Sequence, residues 1–558
     1  MKMTIGSFLI SRLNALGIQR IYGVPGDYNL EFLELLGTSN GLPFIGTCNE
    51  LNAAYAADGE ARLNGISAVL TTYGVGDLGA LPGIAGAYAE GVPVISISGA
   101  PPLAAIRGKA LLHHTMADGN YDNVMNCYRE FTVASARITP ETAMWEIDRV
   151  LSACWQEKRP VYLQLPSDIC YVEIDVPDKL PDLKARVSDA KRLKASAEAI
   201  HARLSQSKQP LLLIDSLARS QQIVPLLEQL ITQWGIPFAV KSPAKALLPE
   251  TSPYFMGIYR GKGSNPALFD YVADADCILG FGVRFTDVTS GYFTQAYKPD
   301  SLIDLQAADA RVDGVFHAGV HIADLLIELL KMPVPSHSVP AICAPPAQAV
   351  SVPSDNGWSQ DAFWQRIAKF IAPGDIVIAE NGTSNVGLAA QTLPAGCSFI
   401  AQPIWGAIGY TLPALLGTLL AAPERRQLLF IGDGSIQLTV QELSTILRHG
   451  LKPVVFLINN DGYTIERLIL GETSPYNDIA AWRYTDLPDV FAPQAKTRSF
   501  QVETMAELEA VLVGLDHPET LTFIEVKFPR MDAPRGMAAF CKKVTAYDYG
   551  AWAEAELA

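Results

Sequence analysis

LLFIGDGS (428–435) and FLINNDGY (456–463) share one design: a buried apolar run that ends in a glycine-containing turn bearing an oxygen ligand. Asp433 and Asn460 stand 27 residues apart, which suits one helix, Gln437 to His449, and its two loops. A strand, a crossover helix and a parallel strand place both strand ends side by side, at the edge where open α/β sheets bind ligands. Asp433 and the amide oxygen of Asn460 can therefore meet on one hard cation, of which Mg²⁺ is the expected one. The free amides of Gly434 and Ser435 would face the phosphates that share it.

The same alternation of short apolar strands and helical patterns runs outward through most of the chain, which predicts parallel sheets with helices on both faces. In the first third the expected strands are 66–70, 93–98 and 161–165, and in the middle third 210–214, 236–240 and 277–279. The last third restarts with 375–379, 427–431 and 453–458. A charged, proline-punctuated stretch at 176–194 and the Pro/Ala/Ser-rich stretch 334–354 read as linkers. The expectation is three doubly wound α/β domains, at 1–180, 195–335 and 355–558. A chain of 558 residues is too long for one core, which agrees.

A net charge of −15 argues against nucleic acid or an anionic membrane as partner. The eight cysteines form no C-x-x-C pair, so neither a zinc ribbon nor a redox pair is indicated, and reduced thiols in a cytoplasm are the simplest reading. Residues 1–17 read as an amphipathic helix and not as a signal peptide, and no apolar run is long enough to span a membrane.

TTYGVGDLGA (71–80) contains G-x-G-x-x-G after an apolar run, the outline of a dinucleotide fingerprint. Such a site needs an acid at the end of the next strand to take the ribose hydroxyls. That strand ends in Gly99-Ala100-Pro101-Pro102, and Glu90 precedes it. A nicotinamide oxidoreductase built on this motif is therefore the weaker, rival reading, and the glycines still require a close backbone approach. His317 and His321 are spaced i, i+4, but no third ligand is evident and Ala318-Gly319 breaks the helical pattern, so they read as structural.

GDGS followed at this distance by NN resembles the signature of thiamine diphosphate enzymes. Glu50 in TCNE (47–50), HHTMADG (113–119) and NNDGYTIE (459–466) resemble its 2-oxo acid decarboxylase branch, and the order of the domains matches along essentially the whole chain. GYTIERLI (462–469) followed by YNDIAAW (476–482) is most similar to the indolepyruvate and branched-chain members, with pyruvate decarboxylases next. The resemblance implies pyrimidine-binding, middle and diphosphate-binding domains, and non-oxidative conversion of a 2-oxo acid to an aldehyde and CO₂.

It also assigns roles. Glu50 would hydrogen-bond a pyrimidine ring nitrogen; a carboxyl set among apolar strand residues could stay partly protonated for that task. In QPIWGAIGY (402–410), Ile408 would support the bent cofactor and the carbonyl of Gly406 would accept from its aminopyrimidine. Asp433, Asn460 and Gly462 would hold the metal, with Thr383, Ser384, Gly434 and Ser435 near the diphosphate. Asp27, His113, His114 and Glu466 would supply and relay protons, work suited to His and carboxylates near neutral pH. Acetolactate-synthase-like relatives lack the His pair, so its presence points to aldehyde release over carboligation.

Asn385 stands where pyruvate-specific members carry a tryptophan, and Val288 where an aromatic wall is expected. Both would leave room for a large substrate side chain received by Ile465 and Ile469. The turn at 215–219 lacks the cysteine through which substrate-activated members respond, so hyperbolic kinetics are expected. Family architecture further implies a homo-oligomer, at least a dimer and by expectation a tetramer. The C-terminal stretch from Arg530 departs from the closing helix expected of the family.

Overall fold

The computed structural model describes residues 1–38, 42–185, 187–336 and 358–557. They fall into two compact units, Met1–Arg186 with Pro413–Ala422, and Val187–Leu412 with Pro423–Ala558.

The first unit is built on a six-stranded parallel sheet: Ile21–Gly23, Phe44–Gly46, Ser67–Thr72, Val94–Ala100, Ser135–Arg137 and Val161–Pro166. In chain order the strands lie second–first–third–fourth–sixth–fifth. The central strands Ser67–Thr72 and Val94–Ala100 are buried along their whole length, so they read as continuous apolar runs and not as alternating ones. Helix Glu50–Asn64 is rich in alanine because neighbours press closely on it. A Cβ on Gly59 would stand 2.2 Å from the Ala414 carbonyl oxygen, and one on Gly83 2.6 Å from the Ala54 Cβ.

The second unit carries two sheets. The first has seven strands, Pro210–Ile214, Phe238–Val240, Phe255–Ile258, Cys277–Phe281, Leu302–Gln306, Asp309–Val312 and Val315–Ala318, in the order third–second–first–fourth–fifth–sixth–seventh. Its last three strands pair antiparallel, an edge that the expectation of wholly parallel sheets missed. His317 lies on the last strand and His321 is the cap of helix Ile322–Leu330, so the two never share a helix face. The other sheet has six parallel strands, Ile376–Ala379, Ser398–Ile400, Gln427–Gly432, Val454–Asn459, Thr497–Val502 and Leu521–Lys527, again in the order second–first–third–fourth–sixth–fifth.

Of the two expected linkers, 176–194 gives way at Ala190 to helix Ala190–Gln206, capped by the Asp189 carboxylate on the Arg192 amide at 2.9 Å. Most of 334–354 lies outside the described residues. Among those described, no helix is long and apolar enough to cross a membrane.

Candidate active site

Strand Gln427–Gly432 ends at Asp433, and Gly432 pairs with Ile458 on the neighbouring strand, so Asp433 and Asn460 emerge together. Two helices, Asp433–Thr439 and Glu442–Arg448, replace the single one expected, because Asp433 itself opens the first. The Gly434 amide is not free. It donates to Asp433 Oδ1 at 2.8 Å, while Gly462 N donates to Oδ2 at 2.9 Å. Burial pushes the Asp433 carboxyl up to about 6 against the pull of those two amides. A Cβ on Gly434 would meet the Tyr463 ring at 2.5 Å, and one on Gly462 the Asn477 carbonyl oxygen at 2.4 Å. Glycine is therefore required at both places. Arg467, its side chain wholly buried, fixes this loop by donating to Asn477 O at 3.0 Å and Asp478 Oδ1 at 2.7 Å.

Thr383, Ser384, Gly406, Ile408, Asp433, Gly434, Ser435, Asn460 and Gly462 all line one cavity of about 180 Å³, together with Ile465 and Glu466. A carboxylate, a side-chain amide and backbone carbonyls are the hard oxygen donors that a small divalent cation takes. The donor set therefore fits a metal-bound diphosphate. Glu380 also lines the cavity and was not singled out from the sequence. Its carboxylate accepts from the Thr411 hydroxyl at 2.6 Å and the Asn381 amide at 3.1 Å, tying two stretches of the lining together, and burial pushes it up to about 7.

In the first unit, three of the four residues expected to move protons come together. Asp27 follows strand Ile21–Gly23, and its Oδ2 lies 2.6 Å from His113 Nε2. His114 Nδ1 lies 3.7 Å from Asp27 Oδ1, and ligand atoms of all three residues fall within 4.8 Å of one another. Tyr28 stacks on the His113 ring, centroids 5.1 Å apart; the sequence had not marked it. Gly74 explains one of the puzzling glycines: at φ +71° its missing Cβ would lie 1.9 Å from the His114 carbonyl oxygen. The histidine loop can approach only because that Cβ is absent.

Glu50 heads helix Glu50–Asn64 instead of lying among strand residues, so its expected burial is only partial. Asn49 caps that helix, accepting from the Asn52 amide at 2.8 Å. The remaining two glycines of G-x-G-x-x-G face it. A Cβ on Gly76 would lie 3.3 Å from Glu50 Oε1, and one on Gly79 3.3 Å from Oε2. The close approach that the motif demanded is to a carboxylate, not to a nucleotide.

Three family profiles match in chain order: thiamine pyrophosphate enzyme N-terminal TPP-binding domain at residues 3–122, central domain at 197–331 and C-terminal TPP-binding domain at 381–523. A Mycolicibacterium paratuberculosis protein named alpha-keto-acid decarboxylase is 41% identical over 536 residues, covering 95% of each chain. The protein so named in Mycobacterium leprae is 40% identical over 543 residues, covering 97% of this chain and 95% of its own length. That of Mycobacterium tuberculosis strain H37Rv is 41% identical over 549 residues, 95% of each.

The chain belongs to the thiamine diphosphate-dependent 2-oxo acid decarboxylases.

In this decarboxylase Glu466 sits on the short helix Thr464–Ile469 that follows the Asn460–Tyr463 turn. The segment Met537–Leu557, helical on both sides of a kink at Gly550, packs against it, which corrects the expectation that the C-terminal stretch departs from a closing helix. The Thr545 hydroxyl donates to Ile469 O at 2.7 Å. Cys541 on the same helix is buried, and that burial, with the Glu466 carboxylate adding to it, pushes its thiol up to about 11. The sequence hid this helix because its run of polar and small residues carries no clear apolar stripe, and the tertiary contact defines its buried face.

Of the residues expected to receive the substrate side chain, Ile465 lines the cavity, whereas Asn385 and Ile469 do not. Val288, on helix Asp287–Ser290, is 38% exposed and also lies off the lining.

Proposed function

We propose that this decarboxylase acts on 2-oxo acids larger than pyruvate, with indolepyruvate, phenylpyruvate and branched-chain 2-oxo acids as the candidate substrates. Thiamine diphosphate supplies, when bound, an electron sink for the carbanion that loss of CO₂ leaves behind. The chain's own residues do the rest. Asp433, Asn460 and the Gly462 carbonyl would hold Mg²⁺, and backbone amides of the same turns would face the diphosphate. Glu50 holds a pyrimidine nitrogen and sets its protonation. The Asp27–His113 pair, with His114 and Glu466, carries the proton that the product carbon needs before the aldehyde leaves.

The observation that carries the reading is the single cavity joining the metal-type oxygen donors to Glu466 and to the apolar wall of Ile465. Asn385, where pyruvate-specific members carry a tryptophan, lies off the lining of this cavity, so it supports a larger side chain through the resemblance alone. Each additional buried methylene is worth about 0.8 kcal/mol, so a branched or aromatic substrate could gain well over about tenfold in kcat/KM. Family architecture, in which Glu50 and Asp433 of one site come from different subunits, supports a homodimer or a tetramer built from two.

The test is kcat/KM for pyruvate, phenylpyruvate, indolepyruvate and 2-oxoisovalerate, with sedimentation of the loaded enzyme. Preference for a large substrate is expected; a wild type that prefers pyruvate overturns the size reading and leaves a pyruvate decarboxylase.

A further inference from the structure

Asp77, inside the G-x-G-x-x-G stretch, is fully buried and takes no part in the chemistry above. Its carboxylate gathers four donors from separate elements. Oδ1 accepts from the Thr71 hydroxyl at 2.6 Å, and Oδ2 from the Gly74 amide at 3.1 Å, the Ser98 hydroxyl at 2.8 Å and the Tyr162 hydroxyl at 3.0 Å. Its backbone carbonyl accepts from the Tyr128 hydroxyl at 2.8 Å, and Tyr128 stacks on Tyr162 with centroids 3.9 Å apart. One side chain thus pins the start of helix Val75–Glu90 to three neighbouring strands. The two residues on either side of the pin, Gly76 and Gly79, are those whose missing Cβ atoms leave room for the Glu50 carboxylate.

We propose that Gly76, Asp77 and Gly79 form the seat of Glu50, with Asp77 as the positioning residue that fixes its height. A carboxylate that must meet one ring nitrogen has to be held within a fraction of an ångström, and rigid backbone does this better than a second flexible side chain. The absence of side chains at Gly76 and Gly79 sets where Glu50 rests, and the four-donor clamp keeps that floor from tilting. The inference rests on Glu50 being the group that activates the cofactor.

Gly79→Ala is the decisive variant. The three atoms nearest its Cβ would all belong to Glu50, at 3.3, 3.5 and 3.8 Å, so the carboxylate must shift by a few tenths of an ångström. Alanine also favours the helix, so the melting temperature of the cofactor-free protein should hold or rise. Expected is exchange of the cofactor C2 proton slowed about tenfold or more, with KM and the Kd for Mg²⁺–thiamine diphosphate unchanged within about threefold. A variant that only damaged the fold would not combine higher stability with slower exchange.

Asp77→Ala should show the same slowing. Asp77→Asn should largely recover, because one amide oxygen still serves the three donors on Oδ2 and the Thr71 hydroxyl can turn to accept. If Asp77→Ala fails to fold, Gly79→Ala alone decides. Folded Gly79→Ala with exchange within about twofold of wild type, beside a slow Glu50→Gln control, overturns the seat. Normal exchange in Glu50→Gln overturns the role of Glu50 itself, and the seat with it.

Discussion

The two six-stranded sheets have the same strand order, and each is followed at its third strand by a helix whose early residues include a buried aspartate. Asp77 and Asp433 are 0% and 2% exposed, and burial pushes both carboxyls up to about 6. They differ in what answers them. Asp77, on helix Val75–Glu90, is met by four protein donors: the Thr71, Ser98 and Tyr162 hydroxyls from three neighbouring strands and the Gly74 amide that precedes its helix. Asp433 has its two loop amides and faces an open cavity. The same topology thus makes a clamp where protein donors fill a carboxylate's capacity, and a ligand site where some of it stays open. The middle sheet also carries a buried aspartate after a strand: Asp215 accepts from the Ser216 and Arg284 amides at 2.7 and 3.1 Å.

The sharpest way to break this comparison is to delete each carboxylate. Asp433→Ala should weaken the Kd for Mg²⁺–thiamine diphosphate by about 100-fold or more, because the cation loses its one charged protein ligand. The melting temperature of the cofactor-free variant should hold. Asp77→Ala should do the reverse, costing about 1–3 kcal/mol of stability through unpaired buried donors while the Kd is kept. Calorimetric titration and melting of both variants would show it. If Asp433→Ala copurifies with stoichiometric cofactor, the metal assignment is wrong.

Glu50→Gln tests the first unit at the same scale: cofactor retained, kcat lowered about 100-fold or more, because an amide cannot exchange the proton that a carboxyl can. Rapid-quench NMR of C2 exchange would locate the loss before the substrate chemistry. Smaller is the effect of Asn385→Trp, which should move the kcat/KM ratio towards pyruvate by about tenfold by penalising large side chains. No shift would place the specificity wall elsewhere.

Beside Asp433, whose carboxyl burial also raises, the pH dependence of the cofactor-free protein draws on Asp77 at about 6 and Glu380 at about 7. Both lie above the range of an exposed carboxyl, so the folded state binds protons that the unfolded chain has released. Their contribution to stability is full below about pH 4 and is lost as pH rises through 6 to 7. Melting temperature should therefore fall across pH 5–8, and less steeply in Asp77→Asn, which cannot ionise. A flat profile in the wild type would refute the burial account.

The smallest expected effect is none at all. Cys170 and Cys277 are buried, and that burial pushes both thiols up to about 12, which keeps them protonated and unreactive. Progress curves should start without a lag, and Cys170→Ser and Cys277→Ser should leave saturation hyperbolic. A sigmoidal response would reveal a regulatory site beyond these thiols.

Much of this was readable from residue order alone, for a local reason. A strand, one crossover and the next parallel strand bring their ends together whatever surrounds them, so Asp433 and Asn460 could be paired from their spacing. Continuous apolar runs likewise marked the buried central strands. The resemblance carried Asp27, His113, His114 and Glu466, and the structure brings the first three together. The rest depended on partners far away in the chain. Glu50 heads a helix because Asn49 caps it, and a few residues of text do not separate that from a strand end. Tyr28, Glu380 and Arg467 acquire their roles only from His113, Thr411 and Asn477. The three glycines of 74–79 announced a close approach in the sequence, but only the folded chain shows that Glu50 and the His114 backbone approach them, since a missing Cβ states that space is needed without stating for what.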